Sequence, residues 1–123
     1  INTIPQEISY LSHFDANSSE EATKTFVENY KAKFNGETPS QFAAAAYDCV
    51  YALYEALTAA GESKVSASMS AEEFCRVLKE QFDGSFTYSG VTGSNMKWTR
   101  STSGAGYVEK TATKFVVKEA DNA

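Results

Sequence analysis

Apolar side chains recur at helical spacing through residues 42–60, the most apolar long segment of the chain. Ser40 precedes this segment as a predicted N-cap, and Gly61 follows it as a predicted helix stop. The apolar positions fall on two stripes: Phe42, Ala45, Ala46, Cys49, Leu53, Ala56, Leu57 and Ala60 on the first, and Tyr47, Val50, Tyr51 and Tyr54 on the second. Two stripes on one helix predict a central helix that packs against the protein from more than one side.

Weaker patterns on either side of this segment predict one strand and two more helices. Residues 6–14 alternate between apolar and polar side chains, which predicts a strand. Residues 18–34 and 70–82 have apolar positions at helical spacing and predict helices. A capping box is predicted at the start of each of these two helices, formed by Ser18 with Glu21 and by Ser70 with Glu73.

The last third of the chain changes to Gly, Ser, Thr and aromatic residues, which is typical of short strands and turns. We predict a tight turn between Gly90 and Gly93, a short strand over residues 95–99, a loop over residues 101–106, and a longer, bent strand over residues 107–118. The predicted order is therefore one strand, three helices and several short strands.

Charge and length restrict the classes of function. The chain has 123 residues and a formal net charge of −5, with no run of Lys or Arg, so we predict no nucleic-acid partner. No apolar run is long enough to span a bilayer. The sequence opens at Ile1, without an initiating Met and without a signal peptide, and we therefore expect a fragment or a processed product of a longer protein.

Residue types that carry catalysis or bind metals are scarce. His13 is the single histidine, and Cys49 and Cys75 lack metal-ligand spacing, so we predict no metal site, no cofactor and no enzyme activity. Both cysteines occupy apolar positions on predicted helices, which predicts two buried thiols, with a disulfide between the helices as the alternative. The segment GVTGS lacks the Lys and the following helix of a phosphate-binding loop.

Phe42 is the one candidate ligand-binding residue. It lies one turn into a helix whose first turn otherwise carries small side chains, so a large aromatic ring there can project into a cleft. The alternative is an ordinary core position, which position alone favours.

An ordered set of motifs resembles the C-terminal part of type I periplasmic solute-binding proteins, and most closely the branched-chain amino acid receptors of ABC importers. The matching positions are Phe26, Tyr30 and Phe34; Gly36 and Pro39; Ala46, Tyr47 and Asp48; Gly90, Thr92, Gly93 and Met96; and Val108, Lys110, Phe115, Val116, Val117 and Lys118. The resemblance covers nearly the whole of this chain but only about the last third of a family member. Single motifs are weak, and it is their order that is fairly specific.

The resemblance implies an α/β fold in which this chain forms the C-terminal part of a two-lobed, Rossmann-like protein, with three helices, short strands and an incomplete parallel sheet. Residues 1–14 would be a strand leaving lobe two, residues 15–103 would be part of lobe one, and residues 104–123 would be a hinge and a return strand to lobe two. The implied hinge residues are Ser103, Gly104, Ala105 and Gly106, where glycine takes up large changes of φ and ψ. The resemblance also favours a ligand-lining role for Phe42.

The function implied by the resemblance is the capture of an amino acid, branched-chain or similar, by hinge closure in an extracellular or periplasmic protein. The implied partners are the amino acid and the permease of an ABC importer, and lipid anchoring to the cell membrane stays open. Two alternatives also stay open: a ligand-sensing regulatory domain of the same fold, and a free-standing small interaction domain. Uncovered strand edges and apolar helix faces lead us to expect that this chain by itself forms a dimer or a swapped oligomer.

Overall fold

A computed structural model describes residues 8–104 and 106–117 of the chain. Within them, three α-helices lie between an N-terminal strand and four short C-terminal strands. The elements are β1 (Ile8–Ser12), α1 (Glu21–Lys33), α2 (Gln41–Ala60), α3 (Ala71–Phe82), β2 (Thr87–Gly90), β3 (Gly93–Arg100), β4 (Gly106–Val108) and β5 (Thr113–Val117), with one short 3₁₀ turn at Glu62–Lys64. The chain is therefore a mixed α/β structure with small sheets, as the sequence predicts at this level.

Local signals explain where α2 and α3 begin and end. The Ser40 hydroxyl accepts a hydrogen bond from the Ala43 backbone N–H at 3.3 Å, and Gly61 ends α2 with a φ of 90°. Ser70 and Glu73 form the predicted capping box at the start of α3. These three predictions are confirmed. None of the helices in the described ranges is long and apolar enough to cross a bilayer.

The predicted capping box of α1 is wrong. The Ser18 hydroxyl accepts a hydrogen bond from the Glu20 backbone N–H, two residues on, and so forms a local turn before the helix. Asp15 supports the same turn, since its carboxylate accepts from the Asn17 N–H at 2.9 Å. The helix consequently begins at Glu21, and no side chain caps it.

The described strands form two separate antiparallel sheets. β1 pairs with β5, with Ser12 opposite Thr113, and β3 lies between β2 and β4. The predicted strand over residues 107–118 is thus two strands, because residues 106–108 pair with β3 and residues 113–117 pair with β1. A tight turn through Val91 and Thr92 joins β2 to β3, as predicted. The parallel sheet implied by the resemblance is not found among the described strands, whose pairings are all antiparallel.

Two apolar clusters hold the helices to the strands. The first joins the end of β1 to α1 and α2, with Phe14, Phe26, Val27 and Ala44 at its centre. The second joins α2 to the three-stranded sheet through Ala52, Tyr88 and Met96. An aromatic group of Phe82, Phe86 and Trp98 extends the second cluster towards α3. Helix α2 therefore takes part in both clusters and is central to the described structure.

Helix α2 is nevertheless buried on one face only, which corrects the prediction of packing on two apolar sides. The buried face carries the small residues Ala44, Ala52 and Ala56 together with Asp48. The large apolar side chains lie on the surface: Phe42 is 77% exposed, Val50 66%, Tyr54 65% and Leu53 43%. Small side chains let the neighbouring elements approach α2 closely, and the described strands are too few and too short to cover the opposite face.

The prediction for the two cysteines is also wrong. Cys49 lies on the exposed side of α2 and Cys75 on the exposed side of α3, and both are free thiols. The prediction failed because the apolar residues near each cysteine in sequence lie on both the buried and the exposed face of its helix. They therefore do not show which face the cysteine occupies.

Candidate ligand-binding site

The two connections between the β1–β5 sheet and the rest of the protein leave from the same end of that sheet. Ser12 ends β1 and lies opposite Thr113, which begins β5. The chain from β1 into α1 and the chain from β4 into β5 therefore run side by side. The His13 Nδ1 atom lies 3.3 Å from the Thr111 carbonyl oxygen, which joins the two connections directly.

A cleft of about 270 Å³ lies beside these connections, and we call it the junction cleft. Its volume is slightly below the range of about 300–1,000 Å³ found for small-molecule sites. Four parts of the chain line it: the end of β1, the start of α1, the turn between β2 and β3, and the segment leading into β5. Its polar lining residues are His13, Asp15, Ser18, Glu20, Thr23, Thr92, Ser94, Thr111 and Thr113.

The junction cleft offers groups for both signs of charge. The first backbone N–H groups of α1 have no side-chain cap, and a helix N-terminus attracts anions such as a carboxylate. Asp15 and Glu20 supply carboxylates that attract a cation such as an ammonium group. Thr23 is only 3% exposed and is also among the residues that line the cleft, so it is a buried polar side chain at this site. The junction cleft is therefore lined by acidic side chains and lies beside the backbone N–H groups that begin α1.

One wall of the junction cleft is fixed by a buried carboxylate. Asp48, on α2 and 4% exposed, accepts hydrogen bonds from the backbone N–H of Val91 at 2.9 Å and from that of Thr92 at 2.8 Å. The Thr92 hydroxyl and the Tyr88 hydroxyl also donate to this carboxylate. Three hydrogen bonds thus hold the β2–β3 turn to this one side chain of α2, and the fourth comes from Tyr88 on β2.

This network reaches the second connection as well. The Lys110 ammonium group donates a hydrogen bond to the Thr92 hydroxyl oxygen at 2.6 Å. Burial, together with the Asp48 charge, raises the pKa of the Tyr88 phenol well above its ordinary value, so Tyr88 stays protonated and remains a donor. A Cβ atom at Gly90 would clash with the Asp48 carboxylate and the Tyr88 ring, so this position requires glycine.

The sequence-predicted ligand residue lies elsewhere. Phe42 projects from the exposed side of α2 and does not line the junction cleft, although its neighbour Gln41 accepts a hydrogen bond from Ser12 at 3.1 Å. The ligand role of Phe42 stays a prediction. His13 is exposed and also lines the cleft.

The predicted hinge residues lie at the tip of a hairpin. Ser103 and Gly104 belong to a turn in which Gly104 has a φ of 83°, and Gly106 begins β4, while Ala105 lies outside the described residues. Because β3 and β4 pair on either side of this turn, the chain reaches β5 only after residues 109–112. The hinge role of these residues stays a prediction.

Sequence reasoning did not single out the buried network as part of a site. Asp48 and Thr92 entered only as motif positions, and Lys110 only as part of a strand pattern. The sequence feature that could have indicated the network is Asp48, an acidic residue in a helix of mostly Ala and aromatic residues. A carboxylate on a buried helix face requires hydrogen-bond donors from other parts of the chain. In the described parts of the chain, no cluster of three or more His, Cys, Asp or Glu side chains is placed to hold a metal ion.

Comparisons with known proteins identify no relative. No protein-family model, no curated protein sequence and no solved structure matches this chain.

Proposed function

We propose that this chain is part of an extracellular or periplasmic solute-binding protein that captures an amino acid for an ABC importer by hinge closure. The observation that carries the proposal is the junction cleft. It lies beside the two adjacent connections of the β1–β5 sheet and offers groups for both an ammonium and a carboxylate. The order of motifs that resembles the branched-chain amino acid receptors supports the same reading. The permease of the importer is the proposed protein partner.

The geometry is suited to binding without covalent chemistry. Asp15 and Glu20 would attract the ligand ammonium group, while the α1 N-terminus and the Thr23 hydroxyl would hold its carboxylate. The fixed β2–β3 turn would keep one wall in place, so that movement of the β1–β5 sheet about its two connections would open or close the cleft. In the type I fold the second lobe would complete the site around the ligand.

Calorimetric titration of the full-length gene product with leucine, isoleucine and valine tests the proposal. We expect Thr23→Val to weaken binding at least tenfold, because the buried hydroxyl is lost while the shape is kept. Thr25→Val is the matched control, since Thr25 lies on the exposed side of the same helix and should leave binding unchanged. Hinge closure predicts a smaller radius of gyration in solution scattering when ligand is present. Absence of amino-acid binding, or equal loss in both variants, would refute the proposal.

Phe42 provides a separate test of the resemblance. If Phe42 lines the cleft of the complete protein, Phe42→Ala should weaken ligand binding at least tenfold, whereas Tyr54→Ala, at a similarly exposed position of α2, should not. Equal ligand affinities of these two variants would show that Phe42 does not line the site. The test of the junction cleft would then be the Thr23→Val variant alone.

A further inference from the structure

Helix α2 carries an apolar stripe on its exposed side, which we call the outer stripe. Its members are the exposed Phe42, Ala46, Cys49, Val50, Leu53 and Tyr54, together with the half-buried Leu57. They recur every three or four residues and lie on the side opposite the buried Ala44 and Asp48. The stripe contains no charged residue, so α2 buries its small side chains and presents its large apolar ones.

The exposed area of this stripe is large for a single soluble chain. Phe42, Val50, Leu53 and Tyr54 are between 43% and 77% exposed. Two aromatic and two branched aliphatic side chains at these fractions present roughly 500 Å² of apolar surface, near the upper end of the patches on soluble monomers. Burying the stripe on two copies would remove roughly 1,000 Å² from water, which reaches the lower limit for a specific interface.

We propose that the outer stripe packs against the same stripe of a second copy of this chain, with the two helices antiparallel about a two-fold axis near Cys49 and Val50. These two residues lie at the midpoint of the stripe, which runs from Phe42 to Leu57. A two-fold axis there places Phe42 against Leu57 of the second copy, and Ala46 against Leu53 of the second copy. The small Ala46 thus meets the large Leu53, which lets the two helices approach closely, while the large Phe42 and Leu57 pack together at the ends of the stripe.

Charge does not oppose this arrangement. No ionised side chain belongs to the stripe, so the interface removes no charge from water and brings no like charges together at its centre. An interface of this size without buried polar anchors predicts a dissociation constant on the order of micromolar. The inference concerns this chain by itself and does not rest on the proposed function.

Cysteine crosslinking tests the position of the axis. With the second cysteine removed by Cys75→Ser, mild oxidation with diamide should join two chains through Cys49, because thiols near a two-fold axis between packed helices come within disulfide range. Cys49→Ser, which keeps Cys75, is the matched control. Cys75 is also exposed and free, but the surface around it is charged, with Glu72, Glu73, Arg76 and Lys79. We expect at least tenfold more covalent dimer from the chain that keeps Cys49.

A charge placed at the axis tests the interface without a covalent bond. Val50→Lys should raise the dissociation constant of the dimer at least tenfold in sedimentation equilibrium, since two ammonium groups would meet there. Leu11→Lys is the control, because Leu11 is a similarly exposed apolar side chain on β1, away from the stripe. Circular dichroism is the check that both variants are folded. A chain that stays monomeric at 100 times the expected dissociation constant, or equal crosslinking through both cysteines, would overturn the proposal.

Discussion

Replacing Asp48 by Asn should destabilise the protein more than any other single exchange of one carboxylate for an amide. The Asp48 carboxylate accepts from Val91 N–H and the Tyr88 hydroxyl through one oxygen, and from Thr92 N–H and the Thr92 hydroxyl through the other. Asn has only one accepting oxygen, and its NH₂ group would face a backbone N–H in a buried site. Two hydrogen bonds are therefore lost, and one buried donor is left unpaired.

The magnitude follows from these losses. Two lost hydrogen bonds to a charged group are worth about 3–6 kcal/mol, and because the site can relax in part we expect a net loss at the lower end of that range, about 3 kcal/mol. For a domain of this size that loss lowers the melting temperature by roughly 10 °C. Thr92→Val removes the hydroxyl, and with it one hydrogen bond to Asp48 and the hydrogen bond from Lys110, but keeps the backbone contact; it should cost about 1–2 kcal/mol.

Urea unfolding followed by circular dichroism measures these differences in the free energy of unfolding. Asp15→Asn is the matched control, because Asp15 accepts one backbone N–H bond that an Asn oxygen can also accept. We expect a change below about 0.5 kcal/mol for this control. If Asp48→Asn and Asp15→Asn lose equal stability, the buried network does not hold the β2–β3 turn, and the reasoning is wrong.

Two further predictions concern caps and pH. Ser70→Ala should lower the free energy of unfolding by about 1 kcal/mol in thermal melts, whereas Ser18→Ala should have less than half that effect, because Ser70 caps a helix and Ser18 does not. Hydrogen bonds from Arg100 and Lys79 hold the pKa of Asp83 well below its usual range, so the stability from this carboxylate is present above about pH 4 and is lost as pH falls further. Asp83→Asn should therefore flatten the acid side of the stability profile, and an unchanged profile would contradict this.

Local signals in the sequence were sufficient to predict where α2 and α3 begin and where α2 ends. A cap is made by residues within four positions of each other, as Ser40 with Ala43 and Ser70 with Glu73 show. The capping-box prediction failed at Ser18 because a local turn competes with it. In that turn the Ser18 hydroxyl accepts from the Glu20 N–H, and the Asp15 carboxylate accepts from the Asn17 N–H, before the helix begins. The strand pattern after residue 107 failed for a related reason: alternation does not reveal that its two halves pair with different partners.

The orientation of α2 could not be predicted, because apolar periodicity identifies stripes without saying which of them is buried. Its sequence carries large apolar residues on one side and small ones with Asp48 on the other. Hydrophobic transfer energies favour burial of the side with the large apolar residues. The described structure instead buries the side with the alanines and Asp48. Asp48 decides this orientation, since its carboxylate must find donors, and the β2–β3 turn supplies them from more than 40 residues away in sequence.

The contacts of Asp48 also join the candidate site to the exposed stripe. Fixing Asp48 against the β2–β3 turn shapes one wall of the junction cleft and, because side chains one half-turn apart point in opposite directions, turns Phe42, Val50 and Leu53 outwards. The Asp48→Asn variant should therefore disturb both features together, whereas Val50→Lys should disturb the stripe alone and leave the cleft intact. If both variants are folded and a ligand binds the Val50→Lys variant normally but does not bind the Asp48→Asn variant, the junction cleft and the outer stripe depend on opposite faces of α2.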